Sequence, residues 1–388
     1  MTTVAALFII VFFIPYTASG FSACGKLFNS LFGMDYMTAM IISAAVIILY
    51  CTLGGFFAAS TTDFIQSIVM TIALFVIIGF GEGTVHGFDN VFENVKGLSG
   101  YLDIFKGFDV AGNATGSYGA LPVASTLAWG LGYFGMPHIL LRFMAIEDEK
   151  KLKLSRRVAS VWVTISMAVA VLIGVVGYSL MKNGVVPAYE SSSAAETIIV
   201  DISKVISKFG YVPAFVGGIV LAGILASTMS TADSQLLAAA SSVSEDLVKD
   251  TFKVKLSAKG SIVLARVSVV VISIVAIFLA RNPNSSVFRI VSFAWAGFGA
   301  AFGPVVLCAL FWKRANKYGA LAGMIAGGLT VFIWKFIVRV QFSDTVLNIY
   351  ELLPAFIVGL LAIVVVSLLT KAPESSVTDT FDSINVKD

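Results

Sequence analysis

The chain has 388 residues, of which 58% are hydrophobic and only 13% are charged. Soluble domains are roughly half apolar and about one quarter charged, so the composition excludes a soluble protein and indicates a polytopic membrane protein. The net charge of +3 is too small and dispersed for a nucleic-acid-binding surface, and three cysteines with two histidines are too few for a zinc cluster.

Ten apolar runs are long enough to cross a hydrocarbon core of about 30 Å as helices. They are residues 2–19, 37–58, 64–82, 122–143, 158–181, 212–238, 261–281, 286–311, 318–338 and 350–370. If the chain starts inside, the cytoplasmic segments are 59–63, 144–157, 239–260, 312–317 and the tail 371–388. These segments hold 14 Lys and Arg against seven in the longer outer segments, and this bias predicts the orientation.

The first run lacks the basic start of a signal peptide and is interpreted as a spanning helix. Near its end lies Tyr16, whose phenol needs a hydrogen-bond partner if it is buried. Asp63 follows the second run at the inner membrane edge. An Asp there is typical of a turn or a helix N-cap, and the alternative is that it neutralises a cation that enters from the cytoplasm.

The run 122–143 contains Trp129, Tyr133 and Pro137 at four-residue intervals, with glycines between them. On one helix this spacing places them on one face as an aromatic wall beside which a small organic molecule fits. The alternative is an aromatic belt at the membrane interface. Arg142 comes next to a basic loop and is predicted to extend its charge to the membrane surface.

Two long outer segments follow from this orientation. Residues 83–121 are rich in Gly, Asn and Asp and are predicted to be mostly irregular. Residues 195–208 have apolar side chains at helical spacing and predict a surface helix.

Residues 212–246 predict a single membrane helix with an unusual number of oxygens. Ser227, Ser230, Thr231 and Ser234 stand at i, i+3, i+4 and i+7, so one stripe of hydroxyls faces one direction. Oxygen ligands suit a hard cation. Ser and Thr in membrane helices often bond back to their own backbone instead, but so many hydroxyls beside Asp233, which is costly at membrane depth, favour a functional site.

The last runs carry packing signals. Gly299 and Gly303 form a small-xxx-small pair that lets helices approach closely, and Pro304 predicts a kink. Lys335 and Arg339 near the outer end of 318–338 are predicted to extend to the membrane surface. The tail 371–388 is polar and is predicted to be a disordered cytoplasmic segment.

Several stretches are similar to one known family. They are GLGYFGMPHILLRFMA (130–145), LAGILASTMSTADSQLL (221–237), SEDLVKD (244–250), VSFAWAGFGAAFGPVVL (291–307) and GALAGMIAGGLTVFIWK (319–335). With them the chain resembles the sodium/solute symporter family, and within it the bacterial carriers of proline, from residue 1 to about 373. The resemblance implies an all-α inverted five-helix-repeat transporter fold over residues 1–370 and a location in the bacterial inner membrane, with no enzymatic activity.

The resemblance also implies roles for individual residues. Sodium is the coupling ion, with no cofactor, and its ligands are the side chains of Ser230 and Thr231 and the carbonyl of Ser227. The substrate, L-proline or a similar small solute, is implied to contact Tyr16, Trp129, Tyr133 and Pro137. Asp63, Asp233 and Ser234 are implied to form a second cation site with Ser230, although Asp233 stands where the proline carriers have a less acidic residue.

The resemblance further implies that the chain begins at the family's fourth span. The second family span, which supplies an unwound segment to both sites, would then be absent. Three alternatives stay open: a symporter for another amino acid or for pantothenate, a sensor that keeps the fold, and a fragment that does not transport. A membrane enzyme is disfavoured because neither histidine has an evident catalytic partner.

Overall fold

The structure is a computed structural model that describes residues 1–101, 103 and 105–385. Side chains are described for these residues except 54–59, 116, 117, 384 and 385. The helices are α1 (Thr2–Phe32), α2 (Tyr36–Thr84), α3 (Phe88–Lys96), α4 (Ala120–Leu127), α5 (Trp129–Gly132), α6 (Pro137–Met144), α7 (Leu152–Lys182), α8 (Ser192–Ala195), α9 (Ile198–Ser207), α10 (Tyr211–Ser241), α11 (Ala258–Leu279), α12 (Val287–Phe311), α13 (Lys317–Ile333), α14 (Arg339–Gln341), α15 (Leu352–Leu369) and α16 (Ser375–Asn385).

Other regular structure is minor. Turns of 3-10 helix lie at Tyr133–Gly135 and Glu149–Lys151, and π-helical turns at Ser242–Thr251 and Trp334–Val338. Strands β1 (Lys106–Phe108) and β2 (Ala114–Ser117) pair antiparallel with Lys106 opposite Ser117. This hairpin and α3 lie in the outer segment that was predicted to be mostly irregular.

Nine helical stretches within the described residues are long and apolar enough to cross a membrane. They are Thr2–Phe32, Tyr36–Leu53, Ser60–Thr84, Glu149–Lys182, Tyr211–Thr251, Ala258–Leu279, Val287–Phe311, Lys317–Gln341 and Leu352–Leu369. These correspond to nine of the ten predicted spans and confirm an all-α polytopic membrane protein. The exception is 122–143, which the structure divides into short helices α4, α5 and α6.

Helix α2 carries two spans without a break in its helical assignment, so the predicted loop 59–63 is helical. The Tyr50 hydroxyl nevertheless lies 2.6 Å from the Thr62 hydroxyl. In a straight helix twelve residues rise about 18 Å, which is more than these two side chains can bridge. The helix is therefore sharply bent between Tyr50 and Thr62, and its two halves serve as separate spans.

Helices α12, α13 and α15 pack through their backbones. A Cβ atom at Gly327 of α13 would collide with the carbonyl oxygen of Ala300 in α12, and one at Gly359 of α15 would lie 3.1 Å from the same oxygen. A Cβ at Gly323 would lie 2.8 Å from the carbonyl oxygen of Gly359. Glycine at these positions lets the three helices approach more closely than side chains would allow.

The chain is also helical at two segments that were predicted to be cytoplasmic and either loop or disordered. The π-helical turns continue α10 to Thr251, inside the predicted loop 239–260. In the tail, Ser375–Asn385 forms α16, and Asp382 lies 2.5 Å from Lys313, which follows α12. The outer surface helix predicted at 195–208 is confirmed by α9, whose buried residues include Ile202 and Ile206.

Candidate functional site

The segment from Ala120 to Met144 is a broken helix that passes through the centre of the candidate site. Helix α5 ends at Gly132, a 3-10 turn follows, and Met136 has an extended backbone with φ −79° and ψ 110°. Pro137 is the first residue of α6, where its missing N–H costs no hydrogen bond. Trp129, Tyr133 and Pro137 therefore do not line one face of a continuous helix, contrary to the prediction from their spacing.

Glycines hold this broken segment against α12. A Cβ at Gly299 would lie 2.7 Å from the Cα atom of Gly132, and a Cβ at Gly135 would lie 2.8 Å from the backbone nitrogen of Gly303. The predicted small-xxx-small pair of α12 thus contacts the glycines of the break directly. Pro304 lies inside α12, which continues unbroken past it.

An aromatic cluster surrounds the outer half of the break. Trp129 stacks on Trp295 of α12 with ring centroids 5.3 Å apart, and the ring of Tyr133 meets Trp295 edge-on at 4.8 Å. The Trp295 indole N–H donates to the Trp129 carbonyl oxygen at 2.9 Å, which satisfies a backbone group beside the interruption. Trp295 was not predicted as a site residue, although it lies within a stretch that is similar to the known family.

Trp129 also stacks on two residues of other elements. Its ring centroid is 5.5 Å from that of Phe288 and 5.8 Å from that of Tyr350. Trp129 and Tyr350 line a cavity of about 1000 Å³ that reaches residues of several predicted outer segments. Trp129 therefore lies on the side of the predicted outer segments, hereafter the outer side.

Pro137 begins the inner half of the broken segment, and Tyr16 of α1 lies beside this half. Tyr16 is buried in α1, and its ring centroid lies 6.2 Å from that of His138, the residue after Pro137. Tyr16, Tyr133 and Trp129 are thus distributed along the broken segment from its inner to its outer half. Whether they contact substrate stays a prediction.

Two hydroxyls of the stripe in α10 converge on one backbone carbonyl oxygen. The Ser227 carbonyl oxygen accepts from Ser230 Oγ at 3.2 Å and from Thr231 Oγ1 at 3.0 Å. All three implied sodium ligands therefore converge, and none of these residues is exposed. The hydroxyls bond to their own helix, which was the alternative reading, and a cation would have to replace these hydrogen bonds.

The stripe continues into an acidic cluster at the inner half of α10. Arg142 of α6 binds Asp63 with Nη2, and it donates to Ser234 Oγ at 2.9 Å and to Ser60 Oγ at 2.7 Å. The prediction that Arg142 extends to the membrane surface is wrong. Asp63 lies inside α2 and caps no helix, so the prediction of an N-cap is wrong as well.

Asp233 completes the acidic cluster. It is fully buried, and its Oδ2 accepts from the Tyr50 hydroxyl at 2.6 Å. Because Tyr50 donates to this carboxylate, the Thr62 hydroxyl donates to Tyr50. Asp63 is close enough to Asp233 for the two charges to interact. The structure therefore brings together Asp63, Asp233 and Ser234, with the guanidinium of Arg142 bound to Asp63 and Ser234.

A second charged cluster lies at the outer side. Glu351 is 1% exposed, and its carboxylate lies 2.7 Å from Arg339 Nη1 and 3.3 Å from Lys335 Nζ. The prediction that both basic side chains extend to the membrane surface is wrong. This pairing was not predicted; its sequence signal is an acid at the very start of an apolar run.

Comparison with known proteins gives a consistent result. The profile of the Sodium:solute symporter family matches residues 1–327. An osmoregulated proline transporter of Bacillus subtilis is 41% identical over 372 residues, which are 95% of this chain and 71% of that protein. The sodium/proline symporter of Escherichia coli is 40% identical, with 97% of this chain and 71% of that protein covered.

A solved structure shows the same fold. It is the substrate-bound outward-open state of a Na⁺-coupled sialic acid symporter, for which a novel Na⁺-site is described. The TM-score is 0.70 at 15% sequence identity, with 95% of this chain and 74% of that chain covered.

Proposed function

The chain belongs to the sodium:solute symporter family, and on that premise we propose that it imports L-proline together with sodium across a bacterial cell membrane. It is a multi-pass membrane transporter and not an enzyme, and sodium is its coupling ion. The observation that carries the proposal is the broken segment 120–144. Its outer half contacts an aromatic cluster, and its inner half reaches a helix rich in hydroxyls and acids.

Broken helices are the usual frame of a midplane transport site, because their ends offer backbone groups to ions and substrates. The described residues contain a broken helix of this kind at Trp129–Met136. This segment therefore contributes an interrupted backbone of its own to the proposed site.

Sodium is proposed to bind the Ser227 carbonyl and the hydroxyls of Ser230 and Thr231. These oxygens already converge on one point of α10, and oxygen is the ligand that hard cations prefer. Further oxygens are needed to complete the shell, since sites for hard cations of this kind take about six ligands.

Asp63, Asp233 and Ser234 are proposed as a second cation site. The arrangement supports this because the Arg142 guanidinium binds Asp63 and Ser234, while Asp233 lies close enough to Asp63 for their charges to interact and makes no ion pair among the described residues, so the cluster keeps a surplus negative charge. Arg142 already supplies one cation there. A sodium ion would share the oxygens with that side chain or displace it.

The substrate is proposed to lie along Tyr16, Trp129, Tyr133 and Pro137. Aromatic rings offer apolar surface to a small ring, and Tyr hydroxyls and loosened backbone groups offer hydrogen bonds to its polar atoms. Proline is favoured over pantothenate or another amino acid because relatives about 40% identical are proline transporters.

Coupling requires that each ligand tighten the binding of the other, since linkage between two sites is reciprocal. Sodium on α10 is proposed to favour an outward-open state to which proline binds. Movement of the helix bundle then exposes both ligands to the cytoplasm. The bias of basic residues toward 144–157 and the other predicted inner segments supports this direction.

The test is uptake of radiolabelled proline into proteoliposomes with a sodium gradient. Replacing sodium by choline is expected to abolish uptake. Thr231→Ala is expected to raise the sodium concentration for half-maximal uptake roughly tenfold, the loss of about 1.4 kcal/mol from one ligand.

Thr228→Ala is the matched control for that variant, since Thr228 also bonds to its own helix at the Ile224 carbonyl but lies outside the hydroxyl stripe. Uptake that persists in choline would overturn the proposed function. A sodium dependence that shifts equally in both variants would remove Thr231 from the site.

A further inference from the structure

The outer cavity of about 1000 Å³ has an uneven charge distribution. It is lined by three basic residues, Arg289, Lys335 and Arg339, and by the aromatic residues Trp129, Phe288 and Tyr350. The carboxylate of Glu351 is bound by both Lys335 and Arg339. One buried acid therefore neutralises one of these three cations, and two positive charges are left over.

The other acid of the cavity does not change this balance. Glu196 lies 2.8 Å from Lys26 Nζ and also accepts from the Ser286 hydroxyl at 2.8 Å. Its charge is thus already matched by a cation of α1. The cavity keeps a net positive charge on the side that faces the predicted outer segments.

Among the described residues that line the cavity, Arg289 is the basic one that binds no carboxylate of the protein. Its guanidinium makes no ion pair within the part of the chain that the structure describes, and it is close enough to Lys335 for their charges to interact. Phe288, its neighbour in sequence, stacks on Trp129. A planar guanidinium binds carboxylates with two parallel hydrogen bonds, so the position offers an anion site beside an apolar aromatic surface.

We infer that this cavity is an outer docking site at which Arg289 receives the carboxylate of the amino-acid substrate before the substrate reaches the broken segment. The inference rests on the proposed function, because it needs a substrate that carries a carboxylate. The zwitterion places its apolar ring on the aromatic side formed by Trp129 and Phe288. Lys335 and Arg339 add to the attraction without being released from Glu351.

Proline carries no net charge, so the positive potential of the cleft acts on it at short range, where the carboxylate turns toward the cations and the ammonium group away from them. Salt weakens this effect, since charges in open cavities are screened over about 10 Å at 0.1 M ionic strength. Docking by charge should therefore appear in KM and in its dependence on ionic strength, and the turnover of the bound complex should change little.

The experiment measures initial rates of sodium-driven proline uptake in proteoliposomes. Arg289→Gln is expected to raise the KM for proline about three- to tenfold with a maximal rate within about twofold of wild type, because a rim charge acts mainly on association. Arg281→Gln is the matched control: Arg281 is exposed in a nearby outer turn, packs on the Phe278 ring at 4.4 Å and does not line the cavity.

A second measurement needs only the wild-type protein. Adding choline chloride at constant sodium is expected to raise its KM for proline, while the KM of Arg289→Gln stays nearly constant. Prolinamide, which lacks the carboxylate, is expected to inhibit uptake with a constant that does not rise with added salt.

Three results would overturn the inference although uptake remains sodium-dependent. The first is a KM for proline that is equal in Arg289→Gln and Arg281→Gln, and the second is a wild-type KM that does not change with salt. The third is a loss of uptake when gluconate replaces chloride, because the basic residues would then bind inorganic chloride. Absence of sodium-dependent uptake in the wild type is a different outcome and overturns the proposed function itself.

Discussion

The two halves of the broken segment face charge clusters of opposite balance. Beyond the outer half, two cations share the single buried carboxylate of Glu351. At the inner half, the guanidinium of Arg142 binds Asp63, and the buried carboxylate of Asp233 lies close enough to Asp63 for the two charges to interact. The outer cluster therefore retains positive charge and suits an anionic group, while the inner cluster retains negative charge and suits a cation.

This difference shows how one short segment can serve two ligands of opposite charge. A zwitterion has a carboxylate that the outer cluster attracts, and sodium is attracted by the inner one. The aromatic residues around Trp295 contact the outer half of the segment, where they offer apolar surface and a backbone hydrogen bond and no formal charge. Substitutions in each of the two clusters test this difference.

The largest effect is expected from Glu351→Gln, which removes the shared acid of the outer cluster. Lys335 and Arg339 then face each other without a counter-charge, and because these side chains are 24% and 36% exposed the cost should lie below the about 3–5 kcal/mol of a fully buried pair. The thermal unfolding midpoint in detergent should fall markedly. Asp344→Asn, in an exposed position of the neighbouring outer turn, is the control and should leave the midpoint unchanged. Equal midpoints for the two variants would contradict the role of Glu351.

A smaller and ion-dependent effect is expected from Arg142→Gln in the inner cluster. Asp63 loses its cation, which should cost about 1 kcal/mol because Arg142 is partly exposed. Sodium can then bind the vacated oxygens, so sodium in place of choline should raise the unfolding midpoint of the variant more than that of the wild type.

Arg157→Gln, an exposed charge of α7, is the control for the inner cluster. It should respond to sodium as the wild type does. If the sodium increment is the same in all three proteins, the inner carboxylates do not bind the ion.

The smallest effect concerns Glu196 at the rim of the outer cluster. Burial raises the pKa of this carboxyl, but hydrogen bonds from Lys26, Ser286 and the Val287 N–H outweigh burial and hold the pKa below its usual 4.5. A lowered folded-state pKa stabilises the protein above about pH 4.5, and the contribution is lost as pH falls through the folded value.

Glu196→Gln should therefore lower the unfolding midpoint slightly at pH 7, and the difference from wild type should shrink toward pH 3.5. Glu190→Gln, an exposed acid of the same outer segment, is the control and should show no such trend. A difference that stays constant with pH would show that the charge of Glu196 does not stabilise the fold.

The spans were predictable from the sequence because each is a long apolar run, a property of neighbouring residues alone. The break at Trp129–Met136 was not, since glycines and a proline within an apolar run also occur in continuous membrane helices. Its position is set by contact with Gly299 and Gly303, which are remote in sequence.

The charged clusters were missed for the same reason. Arg142 and Asp63 are 79 residues apart, so no local pattern relates them, and a basic residue beside a basic loop ordinarily extends to the membrane surface. The hydroxyl stripe was readable because it lies within one helix. Its bonding to the Ser227 carbonyl could be foreseen only as one of two alternatives.

The glycine contacts among α12, α13 and α15 constrain how the molecule can move. Where backbone touches backbone at Gly327 and Gly359, no side chain is available to change rotamer as one helix turns against another. These three helices should therefore move as one rigid body during a transport cycle. The motion that opens the site to one side and then to the other must occur at interfaces lined by longer side chains.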